Sequence, residues 1–488
     1  MKPVPLFGEG IQSYSPFVTA QRRLNCYYDV RKDNDKSTVV VKGTPGSEIW
    51  VTLPTGPIRG WRFVSPYLYV VSGDVLYDIN TSGVFTVRGY LSTESGFVEL
   101  SDNSIQLMIV DGVSGYLYTI ATTTLTTISD TFFISDLNGC KTIEFIDGRF
   151  IVEKPGITRQ FYISAPYDGD NWQPNSGASI FGTKENSSDQ LLAVQVYSGL
   201  LILFGSQTTE FWQDVGASPN PFQRINGTTQ SWGIAALRSR VITNNSLIFL
   251  AQNLYGGVKV MSVVGNSMTP ISTPDIETWI TSFGNYSDAV ALSYTVEGHT
   301  FYQITFQSAE RTFVYDTTTG FWGEAQTGVS MLTRHYAQLG ISFDSRNYAS
   351  DSTTGNIYRI DPNNFTDNGN TIPRQISTRH INFSGNEHGI SELWMDMETG
   401  VGTNSGQGYD PVVTLEMSKD GGNTFGSPRP VNLGKIGKYS KKRVRWSRLG
   451  ASRDFVFRFS VTDPVRFTIV SGSIEVRQGT QRQQGAEF

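Results

Sequence analysis

The sequence predicts an all-β chain, a β-propeller of about seven blades followed by a C-terminal β-sandwich, on three observations. The first is a cadence that recurs from about Gly56: an alternating apolar run, a turn, a second run centred on one anchor residue, and a further turn. The anchors are Tyr77, Tyr118, Tyr162, Trp212, Val260, Tyr315 and Tyr358, separated by 41, 44, 50, 48, 55 and 43 residues. About four short strands per unit at such a period is the pattern of propeller blades. The second is composition: 12% aromatic residues, with 49 Gly and 20 Pro among 488 positions, favour strands and turns over helices. The third is a change of texture near Gln375, where the cadence stops and longer alternating strands begin.

Residues 1–55 read as an arm rather than a domain. Within it, QRRLNCYYDVRKDNDKSTVVVKGTPG holds two short strands about an Asn34–Asp35 turn, a segment suited to closing a blade or to reaching a neighbouring subunit. Residues 56–375 form the propeller. One four-stranded blade cannot bury both faces, so blades stack around an axis, and closing the ring hides most of their edges. Ser65–Pro66, Asp102–Asn103, Asp147–Gly148, Ser198–Gly199 and Asn244–Asn245 sit where hairpin turns are needed. Unit five alone has no aromatic residue at its anchor. Residues 376–476 carry about seven strands. Leu393, Met395 and Met397 share one face of ELWMDME, and Phe455, Phe457 and Phe459 share one face of DFVFRFSV, the alternation of a sandwich. Residues 477–488 are a polar tail.

The chain offers little chemistry. His299, His335, His380 and His388 form no HExxH pair, and no GxSxG, phosphate loop, GxGxxG or EF-hand loop occurs. No catalytic, metal or cofactor site is therefore assigned. Cys26 and Cys140 lie far outside metal-ligand spacing; buried free thiols are the expectation, with a single bridge left open. No apolar run approaches the length of a transmembrane helix, and the first twenty residues lack a signal-peptide core. One local motif stands out: Ser418, Asp420, Gly422, Thr424 and Phe425 make an Asp-box, in which the carboxylate accepts N–H bonds across a glycine turn and the aromatic ring packs beneath it. This is a turn-stabilising device. Paired carboxylates of a glycosidase are not visible to sequence, so a propeller glycoside hydrolase or a glycan-binding protein acting on surface polysaccharide stays open as the alternative reading.

Charge is unevenly placed. Residues 429–458 hold ten basic side chains against Asp454, while the whole chain carries a net charge of -5. In KRVRWSRLG the alternation puts Val444 and Trp446 on one strand face and Arg443 and Arg445 on the other. Such a strip is a solvated edge strand, a protein interface or a phosphate-binding face.

QRRLNCYYD (Gln21 to Asp29) followed by GTPG (Gly43 to Gly46) resembles the opening of tail hub or nozzle proteins, the packaged-DNA stabilisation proteins, of short-tailed phages. LLILFGSQTTEFWQDVG from Leu200, SWGIAALRSRVITNNSLIFLAQNLYGGVKV from Ser231, and SKDGGNTF with KKRVRWSRLGASRDFVFRFSVTDPV are similar to the same family. The resemblance implies a non-enzymatic virion protein, made and assembled in the host cytoplasm and resident in the tail. It implies a ring of six copies below the portal-adaptor that continues the DNA channel, passes duplex DNA without sequence preference, and anchors tailspikes, fibres or a needle. Arg22, Arg23, Lys441, Lys442, Arg443, Arg445 and Arg448 are the candidate subunit or partner interface.

Overall fold

The computed structural model describes residues 2–478, apart from 4–7, 9, 32–37, 244, 330–332, 383–385 and 439–443. The Asn34–Asp35 turn, most of the polar tail, and Lys441, Lys442 and Arg443 therefore lie outside the described residues. Seven antiparallel blades occupy 58–90, 99–127, 143–183, 191–224, 233–270, 290–324 and 339–361. In each the chain runs outward from strand to strand. The first strands crowd around the axis: Glu99–Asp102 lies against both Ile58–Val64 and Ile143–Ile146, and the latter against Leu191–Tyr197.

Each blade is buried on both faces. On the Leu200–Gly205 strand, Leu201 and Leu203 pack toward blade three while Ile202 and Phe204 pack toward blade five. This is why the second strands read as unbroken apolar runs instead of alternating ones. One apolar seam fills each of the seven gaps between neighbouring blades. The sequence anchors all fall on the third strands. Tyr77, Tyr118, Tyr162 and Trp212 each face the preceding blade. Val260 faces the following blade, and Met261 takes the position toward blade four. Unit five thus has an anchor, one residue later and aliphatic. The helical pieces are small: Pro274–Ser282, capped by Thr273, inserts Ile276 and Ile280 into the seam between blades five and six.

The seventh blade has only three strands of its own. Its outer strand is Gly46–Thr52, antiparallel to Asn356–Asp361. Val51 and Leu53 then enter the seam shared with blade one, so a segment from the start of the chain locks the end of the propeller to its beginning. The GTPG motif explains how it enters. A Cβ at Gly46 would lie 2.3 Å from the Thr366 carbonyl oxygen and 2.7 Å from that of Asn364, so only glycine lets the two backbones meet.

Residues ahead of the closing strand serve the sandwich. One sheet runs Cys26–Val30, Val39–Gly43, Thr468–Gln478, His388–Met397, Val444–Ser452. The other runs Arg23–Leu24, Arg374–Ser377, Asp454–Val461, Val412–Ser418, Arg429–Asn432. Arg23–Leu24 also pairs, in parallel, with the outer strand of blade six through Leu24 and Glu324, which makes one sheet continuous between the domains. Leu393, Met395, Met397, Phe455, Phe457 and Phe459 all point into the sandwich core with Cys26, Tyr28 and Val41.

Gly46→Ala forces the closing strand away from residues 364–366, and a loss of about 1–3 kcal/mol is expected from such overpacking. Denaturant unfolding of the variant against the parent measures it.

Candidate functional site

Of the basic strip, Arg445 and Arg448 lie at a sheet edge, whereas Arg458 sits on the inner strand Asp454–Val461 and pairs with Glu416 at 2.8 Å. Val444–Ser452 is the last strand of its sheet, paired only with His388–Met397. Val444, Trp446 and Leu449 are buried, while Arg445, Ser447 and Arg448 are exposed, so the outward face is basic and the inward face completes the core. Two residues, Arg448 and Leu449, oppose Ser391 alone between the Glu392–Ser447 and Ile390–Gly450 pairs. Arg448 takes φ 59° in this bulge, which turns its side chain outward. Arg429 donates from Nη1 to the carbonyls of Ser447 and Arg448, both at 3.3 Å. A capped, bulged and charged edge of this kind resists unspecific strand pairing while leaving its cations available.

Arg22 and Arg23 serve a different place. Arg22 binds Glu324 of blade six at 3.0 Å and Gln375 of the sandwich at 3.3 Å. Arg23 is buried, donates to the Trp322 and Gly8 carbonyls, and stacks 4.4 Å from the Tyr28 ring centre. Both join blade six to the sandwich inside one subunit, so their charge is committed within the chain.

The Asp-box behaves as a turn. Thr424 donates its N–H to Asp420 at 2.9 Å and its hydroxyl at 2.6 Å, and the Ser418 hydroxyl donates at 2.7 Å. These bonds hold the Asp420 carboxyl down at about 2. Phe425 lies beneath Arg458, whose guanidinium carbon is 3.7 Å from the ring centre. The sequence does not reveal what covers this turn. A Cβ on Gly421 would meet Phe17 at 2.5 Å, and one on Gly422 would meet Ala20 at 2.7 Å. The same N-terminal stretch gives the Gln12 carbonyl to Trp279 Nε1 at 2.9 Å and the Pro16 carbonyl to His380 Nε2 at 3.0 Å. Residues 10–20 are therefore a strap from the propeller helix to the Asp-box.

The propeller axis is a second feature absent from the sequence reading. The first strand of blade five is broken into Gly233–Ile234 and Val241–Ile242, both paired with Leu247–Gln252. The interruption projects Arg238 and Arg240 across the axis to Glu99 of blade two, at 3.1 and 3.0 Å. Arg240 also donates to the Val194 carbonyl at 2.7 Å and to Gln195, whose amide donates to Glu144. Burial and the neighbouring Glu99 charge push the Glu144 carboxyl up to about 8, against the pull of Arg240 and Arg62. The axial tunnel is thus bridged by side chains from blades two to five.

The remaining titratable groups are dispersed. His299 binds Asp316 at 2.8 Å, His380 binds Asp454 at 2.6 Å, and burial depresses His335 to about 4. Cys26 and Cys140 are buried free thiols. Among the described residues, no group of three or more His, Cys, Asp or Glu is placed to hold a metal ion, and no helix is long and apolar enough to cross a membrane.

A closed propeller fastened to a sandwich through shared strands defines the class of architecture. The profile described as "Bacteriophage P22 Gp10, beta-propeller" matches residues 22–364, and that described as "Bacteriophage P22 Gp10, beta-sandwich" matches residues 373–477. The chain belongs to the bacteriophage P22 Gp10 family, and it is a structural protein of the phage tail. No curated protein matches it. Among solved structures, it is similar to the extracellular domain of a putative hybrid two-component system from B. thetaiotaomicron (6% identity, TM-score 0.44, covering 65% of this chain and 39% of that one). The Pan2 WD40 domain of Neurospora crassa (11%, 0.41, 65% and 96%) and the WD40 propeller of Doa1 (13%, 0.37, 64% and 96%) are further likenesses.

Two pH responses follow. Glu144 titrates at 4.5 when unfolded and about 8 when folded, so the folded state keeps a proton that the unfolded state releases, and stability falls as pH rises through that window. Glu144→Gln is expected to match the parent near pH 4.5 and to exceed its unfolding midpoint at pH 9. Asp420 has the opposite sign: its contribution is present above 3.8 and lost as pH falls toward 2. Asp420→Asn is expected to be less stable at pH 7 and to lack that part of the acid limb, read by denaturant midpoints across the range.

Proposed function

We propose that this chain is the subunit of a tail hub or nozzle. Six copies form a ring below the portal-adaptor, continue the DNA channel, retain packaged DNA until ejection, and carry the attachment points of tailspikes, fibres or a needle. The observation that carries this reading is the exposed basic edge of the sandwich, offered by a subunit whose two domains share strands. A closed ring of identical copies needs two different, complementary patches on each subunit. The basic edge supplies one, and the more acidic remainder of the chain supplies the other side. The sheet continuous from blade six into the sandwich keeps the two patches at a fixed separation, which a ring of defined size requires.

The bridged axis supports the same reading. Glu99, Arg238 and Arg240 span the propeller centre, so a duplex runs between subunits rather than through one of them. A conduit that held many phosphates would resist passage of its cargo. The basic edge accordingly faces protein partners, and the wall facing DNA is neutral or acidic.

Reversing charge at Arg445 and Arg448, both exposed and on the outer face, is expected to leave the unfolding free energy unchanged within about 0.5 kcal/mol, as surface substitutions do. Ring formation should fall at least tenfold in concentration dependence, measured by mass photometry, and infectious particles should fall with it. Normal rings and normal particle yield from this double variant would remove the edge from the interface.

A further inference from the structure

A cavity of about 320 Å³ opens at the joint between propeller and sandwich. Three of its lining side chains are cations, and two have carboxylate partners. Lys42 Nζ lies 2.9 Å from Asp29 and 2.7 Å from Glu297, and Arg466 lies 3.6 Å from Glu398. Arg374 has none. It is 1% exposed, and among the described residues no carboxylate comes within ion-pair distance of it. Its Nη groups reach the carbonyls of Val465 and Thr44, each at 3.4 Å, and its Nε has no partner.

Arginine is rarely buried unpaired, because a guanidinium out of water loses hydration that only an anion or a full set of acceptors restores. The chain nonetheless makes room for it: a Cβ at Gly43 would lie 2.4 Å from Nε, so the first glycine of GTPG is what admits the side chain. Asp367 and Arg374 feel each other electrostatically, but Asp367 lies beyond ion-pair distance and burial raises its carboxyl to about 7. The aromatic ring of Phe365 stands 5.8 Å from the guanidinium carbon, and the volume exceeds that of a bare inorganic ion.

We propose that this cavity binds a small oxyanion, a carboxylate or a phosphate, whose charge offsets that of Arg374 in its wall and which ties the sandwich to the propeller. Glu297 and Glu398 bias the rim against highly charged ligands, so singly charged species carrying a compact organic body fit best.

Thermal unfolding of the full chain in sodium phosphate and in sodium benzoate, against chloride at matched ionic strength, tests this. A saturable rise of several degrees in Tm is expected with at least one of the two, since binding to the folded state alone stabilises it. A response to phosphate alone identifies phosphate chemistry, and a response to benzoate alone identifies a carboxylate. The rise should vanish in Arg374→Met and in Asn363→Trp, which adds bulk to the cavity lining from an exposed position. Should Arg374→Met fail to fold, Asn363→Trp alone decides. No saturable rise with either anion, or a rise that survives these variants, overturns the proposal.

Discussion

The seam between the last blade and the first exists because residues 46–52 return to a strand more than three hundred positions away. The other six gaps are filled chiefly by blades adjacent in sequence, with Ile11 added between blades five and six and Tyr27 between blades six and seven. The seventh needs Val51 and Leu53 beside Ile58, Leu68 and Tyr348, and without them two apolar faces would meet water. A propeller has no terminal blade able to hide a face by itself, so closure is a condition on the whole ring. Closing a loop of such sequence separation carries an entropic cost.

The same constraint builds the second domain. The chain reaches the closing strand only after contributing Arg23–Leu24, Cys26–Val30 and Val39–Gly43 to the sandwich, so the arm that seals the propeller is also woven into its neighbour. Arg22 and Arg23 fix that crossing to blade six, and the strap at residues 10–20 fixes it again near the Asp-box. Relative motion of two domains is the usual expectation when a simple linker joins them. Here shared strands replace the linker.

Much of this was legible in the chain. Repetition at a blade period exposed the ring, because each unit solves the same burial problem with the same run of residues. Alternation exposed the sandwich faces at Leu393 to Met397 and Phe455 to Phe459, where one side meets a core and the other meets solvent. The Asp-box carried its geometry in five residues, since its bonds are all local. Val260 was displaced by one position because an aliphatic anchor gives no contrast with its neighbours, whereas Tyr and Trp mark theirs. What stayed hidden depends on distant pairing. Arg22 and Arg23 look like surface cations until Glu324 and the Trp322 carbonyl are brought beside them. The broken first strand of blade five, which aims Arg238 and Arg240 across the axis, leaves no pattern that a period search recognises. The glycines of GTPG were a local trace of close approach, at Gly43 and Gly46, whose nearest partners are Arg374, Thr366 and Asn364.

A cryo-EM map of the assembled tail is the most direct measurement. Six copies arranged around the tail axis, with DNA density enclosed between subunits, the propeller axes filled by protein and the Val444–Ser452 edge against a neighbour, is the result expected. Single or peripheral copies away from the channel, or DNA density threading the propellers themselves, would contradict it.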